Sequence, residues 1–307
     1  GGSSSSNSGG TSSCDSDDDF ADAAMIAVEC MQELMGRGMD GTKKISILLH
    51  TKVLERIHST VDLKTVDASP IDVVLAVSQF INRTGLELLP VLYQQKQDVV
   101  AQPIQEQSTS VTAQILDLFF RCFAFDDIDV SGAAIPLAGS LVSDMISSSS
   151  DPNSNGVANP TTLSRLMTIL YKQMRYPPDF SFDFDDDDEA EEEMYRQELR
   201  KLNKKLVRAS PEMSLAFLSD VLSQLPLPLS SAPVPDVEAS LNLIYQYCEG
   251  IRPPPGMKVV MQNPTFCQLL VALHSSDIVL HPHREVLLLY FEISVRYYPL
   301  LRDRPEL

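Results

Sequence analysis

The sequence predicts an all-α chain built as an α-solenoid, a stacked array of helical hairpins, and three observations carry that expectation. Apolar residues recur at helical spacing through most of the chain. Proline-rich and serine-rich breaks punctuate it at short intervals, and several segments carry two apolar stripes instead of one. No run alternates apolar and polar residues for long enough to make a strand.

Residues 1–18 are mostly Ser, Gly and Asp, too poor in apolar surface to offset their ordering entropy, and are expected to be disordered. The helical array is expected over 19–307. Its first helices are expected over 19–36, 44–59, 70–83, 110–124 and 131–147. In 111–123, Ile115, Leu118 and Cys122 form one stripe, while Leu116, Phe120 and Phe123 form another about 100° away. The Ser-rich stretch 147–159 reads as an inserted loop. Asn159-Pro160 then supplies an N-cap and a proline at the first helical position, and Leu163, Leu166, Met167, Leu170 and Met174 share one face. An acidic loop at 183–193 leads into a helix carrying Tyr195, Leu199, Leu202 and Leu206. Further helices are expected over 211–224, 236–249, 262–274 and 282–298, separated by Pro226-Leu227-Pro228, Pro233-Val234-Pro235 and Pro253-Pro254-Pro255. Ser210-Pro211-Glu212 and Asp236-Val237-Glu238 have the cap and first-turn acid of helix starts. In the last helix Val286, Tyr290, Ile293 and Tyr297 make one stripe and Leu287, Phe291 and Tyr298 another. A helix with two stripes must be covered on two sides, as in a stacked array and unlike a four-helix bundle. The lack of a crisp repeat suits HEAT-like hairpins.

Charge bounds the partners. Among 307 residues, 24 are Lys or Arg and 42 are Asp or Glu, a formal charge of −18. Such a chain repels phosphate on average, so nucleic acid needs a locally basic face. Apolar runs such as Val286–Leu289 are short, so no transmembrane helix and no membrane partner are expected. The Gly/Ser-rich start lacks Met and the regions of a signal peptide, and reads as a piece cut from a longer protein. Five scattered cysteines without a CxxC pair suggest a reducing, intracellular compartment.

Two charge clusters stand out. Asp183, Asp185, Asp186, Asp187, Asp188, Glu189, Glu191, Glu192 and Glu193 place nine carboxylates in eleven residues. They suit a helix N-terminus, and they also suit docking of a basic partner. A calcium loop fails, because the sixth and twelfth positions counted from Asp183 hold Asp188 and Met194 in place of Gly and Glu. Directly after, Arg196, Arg200, Lys201, Lys204, Lys205 and Arg208 are expected on the side of the helix away from its apolar stripe. This is the one dense basic cluster, and phosphate contact is expected here if anywhere. Histidines 281 and 283 flank a proline, while His50, His58 and His274 are isolated, so no metal site is expected. Walker, GxGxxG and GxSxG patterns are absent; no cofactor is expected and no catalytic residue is assigned.

Three segments share one resemblance: Tyr176-Pro177-Pro178-Asp179-Phe180-Ser181-Phe182-Asp183 with the acids after it, Tyr195-Arg196-Gln197-Glu198-Leu199-Arg200-Lys201-Leu202, and Ala209-Ser210-Pro211-Glu212. Together they resemble the exportin-T family, the tRNA exportins of the importin-β superfamily. His281-Pro282-His283-Arg284-Glu285-Val286 and Tyr290-Phe291-Glu292-Ile293-Ser294-Val295-Arg296-Tyr297 are similar to a helix found downstream in that family. Asp126-Asp127-Ile128-Asp129-Val130-Ser131 is similar to a turn that many karyopherins place between paired helices. The resemblance is specific over 160–300, weaker over 40–147 and absent from 1–18. It implies a segment of a HEAT-repeat superhelix that wraps tRNA together with the small GTPase Ran in its GTP form. It also implies weak contact with Phe-Gly nucleoporins, shuttling between nucleus and cytoplasm, no chemistry of its own and no homo-oligomer. On that basis the nine carboxylates of 183–193 are the candidates for Ran contact, and the six cations of 196–208 those for tRNA phosphate. The alternative is a generic α-solenoid interaction scaffold without RNA cargo.

Overall fold

Helix α1 spans Asp15–Gly36 in a computed structural model that describes residues 15–66, 69–97, 102–148, 160–182, 187–251 and 256–302. It starts inside the segment read as disordered, whose residues 1–14 lie outside the described range. There follow α2 (Gly41–Thr51), α3 (Val53–Thr60), α4 (Ile71–Gln97), α5 (Gln102–Phe123), α6 (Ile128–Ser148) and α7 (Pro160–Gln173). Then come α8 (Asp187–Ala209), α9 (Pro211–Gln224), α10 (Val234–Gly250), α11 (Gly256–Val260), α12 (Pro264–His274), α13 (Arg284–Arg296) and α14 (Tyr298–Arg302). No strand occurs among the described residues. The fold is the expected all-α array.

Boundaries moved where tertiary contacts overrode local signals. The helix expected over 44–59 is broken at Lys52, whose φ of 51° reverses the chain between α2 and α3. The helix expected over 70–83 runs on to Gln97 through Gly85 and Pro90, because Leu88, Leu89 and Leu92 continue its buried face. The acidic loop is largely helix. Its residues 187–193 form the first turns of α8, while 183–186 lie outside the described range, as do 149–159 of the expected Ser-rich loop.

Two layers organise the array. Helices α1, α4, α6, α8, α10 and α13 pack side by side in one layer, each touching its neighbours along much of its length. Helices α5, α7, α9 and α12 form the other, and meet one another at far fewer points. The closely packed layer, with α4, α6, α8, α10 and α13, is termed the inner layer and the open one the outer layer.

Helix α6 shows how the inner layer is held. Asp127 Oδ1 accepts hydrogen bonds from the Asp129 and Val130 N–H groups at 3.0 Å each, and Ser131 Oγ donates to the Asp127 carbonyl at 2.6 Å. The acidic turn read in the sequence is thus an N-terminal cap. Pro136 lies inside the helix and removes a backbone donor, and the Leu137 N–H is taken by Asn82 Oδ1 of α4 at 2.9 Å. Ser78 Oγ donates to the Val130 carbonyl at 2.6 Å, a second tie between the two helices. By length and composition alone Ile128–Ser147 is apolar enough to cross a membrane, a test that a core helix also passes. In the fold it lies between α4 and α8, with Val130, Ala134, Leu137, Ala138, Leu141 and Val142 buried.

The two-stripe expectation separates interior helices from the last. On α5, Ile115, Leu118 and Cys122 are buried, and so are Phe120 and Phe123 of the second stripe. On α13 and its continuation the first stripe is buried, whereas Phe291 and Tyr298 are 52% and 59% exposed. Nothing described here packs on that second face.

Candidate functional site on the inner face of α8, α10 and α13

Helix α8 carries both clusters singled out in the sequence, and its burial pattern sorts them. One buried stripe is apolar: Tyr195, Leu199, Leu202 and Leu206. A second, about 100° round, is Glu192, Arg196, Asn203 and Val207. The second stripe is largely polar, so hydropathy did not reveal it.

Arg196 therefore does not lie on the solvent side, as expected, but is fully buried. Its Nη2 donates to Glu238 Oε2 of α10 at 2.5 Å, and its guanidinium lies 3.4 Å from the centre of the Tyr176 ring. Burial pulls its pKa down to about 10, against the opposing pull of Glu238, so the side chain stays charged at neutral pH. Its Nε and Nη1 are buried without a hydrogen-bond partner. From Glu238 a polar chain runs along the α8–α10 seam. Asn242 Nδ2 donates to Glu238 Oε1 (2.7 Å), Gln246 Nε2 to Asn242 Oδ1 (2.7 Å), and Asn203 Nδ2 to Gln246 Oε1 (3.3 Å). Spaced by four, Glu238, Asn242 and Gln246 form a polar stripe in an apolar helix, the signal that could have found this seam.

The other cations divide in two. Arg200 forks onto Glu193 at 2.6 and 3.0 Å, and Lys204 meets Glu249 at 2.5 Å. Glu249 also binds Arg296 of α13 at 2.6 Å, so one carboxylate joins three helices. Lys201, Lys205 and Arg208 are exposed at spacings of four and three, a single row on α8. Lys201 pairs with Glu198 at 2.6 Å, while Lys205 reaches over Gly139 of α6. Among the described residues Lys205 and Arg208 form no ion pair.

The acids divide likewise. Asp183, Asp185 and Asp186 lie outside the described residues. Asp187, Asp188 and Glu191 are exposed, and Glu189 Oε1 accepts the Ser181 N–H. Glu192 is buried, and burial, with Glu193 and then Asp126 nearby, pushes its pKa up to about 7. The three groups meet where α8 passes the turn before α6.

Between α8 and α13, over α10, opens a groove of about 410 Å³. Glu193 and Arg200 line one side, Glu238 and Asn242 the floor, and Glu285, Leu288, Leu289 and Glu292 the other side; Tyr176 and Phe182 close one end. Tyr176 and Phe180 stack, Phe182 meets both edge-on, and Phe182 contacts the His283 ring at 4.7 Å. His283 Nδ1 accepts the Glu285 N–H and caps α13. His281 is buried, accepts the His283 N–H at Nδ1 and donates Nε2–H to the Ala232 carbonyl. Both histidines are thus occupied in shaping the α13 start. No group of three His, Cys, Asp or Glu able to hold a metal occurs among the described residues. On the outer layer, α9 and α12 leave an apolar groove of about 490 Å³ lined by Leu222, Leu227, Leu229, Leu269, Ala272 and Leu273.

Comparison with known proteins returns one family. The family model described as Exportin-T matches residues 102–307. Exportin-T of Mus musculus is 22% identical over 286 residues, covering 91% of this chain and 29% of the relative. Exportin-T of Homo sapiens is 21% identical over 286 residues, and that of Danio rerio 19% over 283, with the same coverage. The chain spans less than a third of the length of these relatives.

Proposed function

Because the chain belongs to the Exportin-T family, we propose that it is a segment of a nuclear export receptor that carries tRNA from nucleus to cytoplasm together with Ran in its GTP form. The observation that carries this reading is the division of charge on the inner layer. Lys201, Lys205 and Arg208 form an exposed basic row on α8, while exposed acids gather at its N-terminal end. A phosphate backbone follows the row, and a basic protein surface meets the acids. Asp187, Asp188 and Glu191 are the Ran-contact residues favoured by exposure, with Asp183, Asp185 and Asp186 just before them. Lys201, Lys205 and Arg208 are the phosphate contacts; Arg196, Arg200 and Lys204 are engaged in holding α8 to its neighbours.

The part played is that of a carrier. Both ligands press on the same layer, so each favours the curvature that fits the other, and binding is cooperative. The apolar groove between α9 and α12 offers the outer surface a place for the phenylalanine rings of Phe-Gly nucleoporins, in keeping with shuttling through the pore. The test is tRNA binding by the receptor carrying this segment, with and without Ran-GTP. Ran-GTP should tighten binding, and changing Lys201, Lys205 and Arg208 to Glu should weaken it and flatten its salt dependence. Binding indifferent to Ran-GTP would leave the alternative, a protein-interaction scaffold without RNA cargo.

A further inference from the structure

We propose that the groove between α8 and α13 receives an arginine or lysine side chain from a basic segment of a protein partner. Its four carboxylates are not equivalent. Glu193 is satisfied by both Arg200 nitrogens and the Tyr176 hydroxyl, and Glu238 by Arg196 and Asn242. Glu285 and Glu292 remain, seven residues apart on one face of α13. Glu285 has only a 3.9 Å contact with its neighbour Arg284, and Glu292 has no ion pair or hydrogen bond among the described residues. Between them lie Leu288 and Leu289, and the rings of Tyr176 and Phe182 close one end of the groove.

This is the chemistry of a long amphipathic cation. The methylene stem of Arg or Lys lies on the leucines, and its charged head sits between the Glu285 and Glu292 carboxylates, at the end of the groove that Phe182 closes. The protein supplies its own example in Arg196, stacked on Tyr176 and paired with Glu238. Phosphate is disfavoured, since four carboxylates outnumber one arginine that is already engaged. The proposal stands apart from the tRNA reading, because a basic peptide can bind without RNA or Ran.

A labelled tetra-arginine peptide, titrated by fluorescence anisotropy against the whole chain, tests it. Glu292 is exposed and without a partner, so Glu292→Gln leaves folding intact. Combined with Phe182→Leu, it should weaken the peptide at least fivefold, whereas Glu29→Gln, which removes an equal charge on an exposed position of α1 outside the groove, should change it less than twofold. Equal weakening by the two substitutions would reduce the effect to overall charge and overturn the proposal, as would no weakening by either. A labelled single-stranded RNA oligomer that binds and is lost on the groove substitutions would assign the site to RNA and also overturn it.

Discussion

Arg196 carries a charge into a site without solvent, which is tolerable because Glu238 neutralises it and Tyr176 covers its face. Removing one partner of such a pair strands the other, so Glu238→Ala should lower the unfolding free energy from urea titration by roughly 3–5 kcal/mol. Arg196→Met should cost no more than half of that, since the remaining carboxyl keeps Asn242 and borders an open groove. Glu192 gives a pH signature. Its pKa near 7 lies above the unfolded value of 4.5, so its contribution to stability is fully present below pH 4.5 and lost as pH rises through 7. Glu192→Gln should leave stability unchanged at pH 4.5 and raise it by roughly 1–3 kcal/mol at pH 8, read from urea midpoints at the two pH values. At this scale the sequence was half legible. It located the dense cationic cluster, but three of its six members turned inward or sideways, each drawn by a carboxylate distant along the chain or a turn or two away on the same helix. Arg196 is the clearest case, fixed by a residue 42 positions later.

Helix existence was legible from periodicity, and helix length was not. Helix α4 was expected to end at residue 83, short of Gly85, yet Gly85 serves packing, since a Cβ there would stand 2.3 Å from Leu137 Cδ2 of α6. Gly250 does the same at the end of α10. A Cβ added there would lie 2.5 Å from Val207 Cβ and 3.0 Å from the Lys204 carbonyl of α8, and backbone cannot step aside. Gly250→Ala should therefore push α10 off α8 and cost about 1–3 kcal/mol, visible in thermal unfolding, despite the higher helix propensity of alanine. The first two turns of α8, residues 187–193, were read as loop because six of the nine acids fall there. Asp187, Asp188 and Glu189 occupy the first turn, where acids suit the helix dipole, while the buried stripe of Glu192 and Arg196 decided where the helix began to pack.

For the molecule as a whole, the net charge of −18 describes no single surface. The inner layer holds a basic row and an acidic groove on neighbouring helices, and the outer layer an apolar cleft. That segregation follows from stacking, which exposes only one narrow strip of each helix per face, and it was legible only as far as helix faces could be assigned. The open outer layer has a mechanical meaning. With the inner helices in contact, the line of constant length in bending runs through them. At a layer separation of about 10 Å, each degree of flexure then changes the outer gaps by roughly 0.2 Å. The cleft between α9 and α12 thus behaves as a strain gauge, its width reporting whatever load sits on the opposite face.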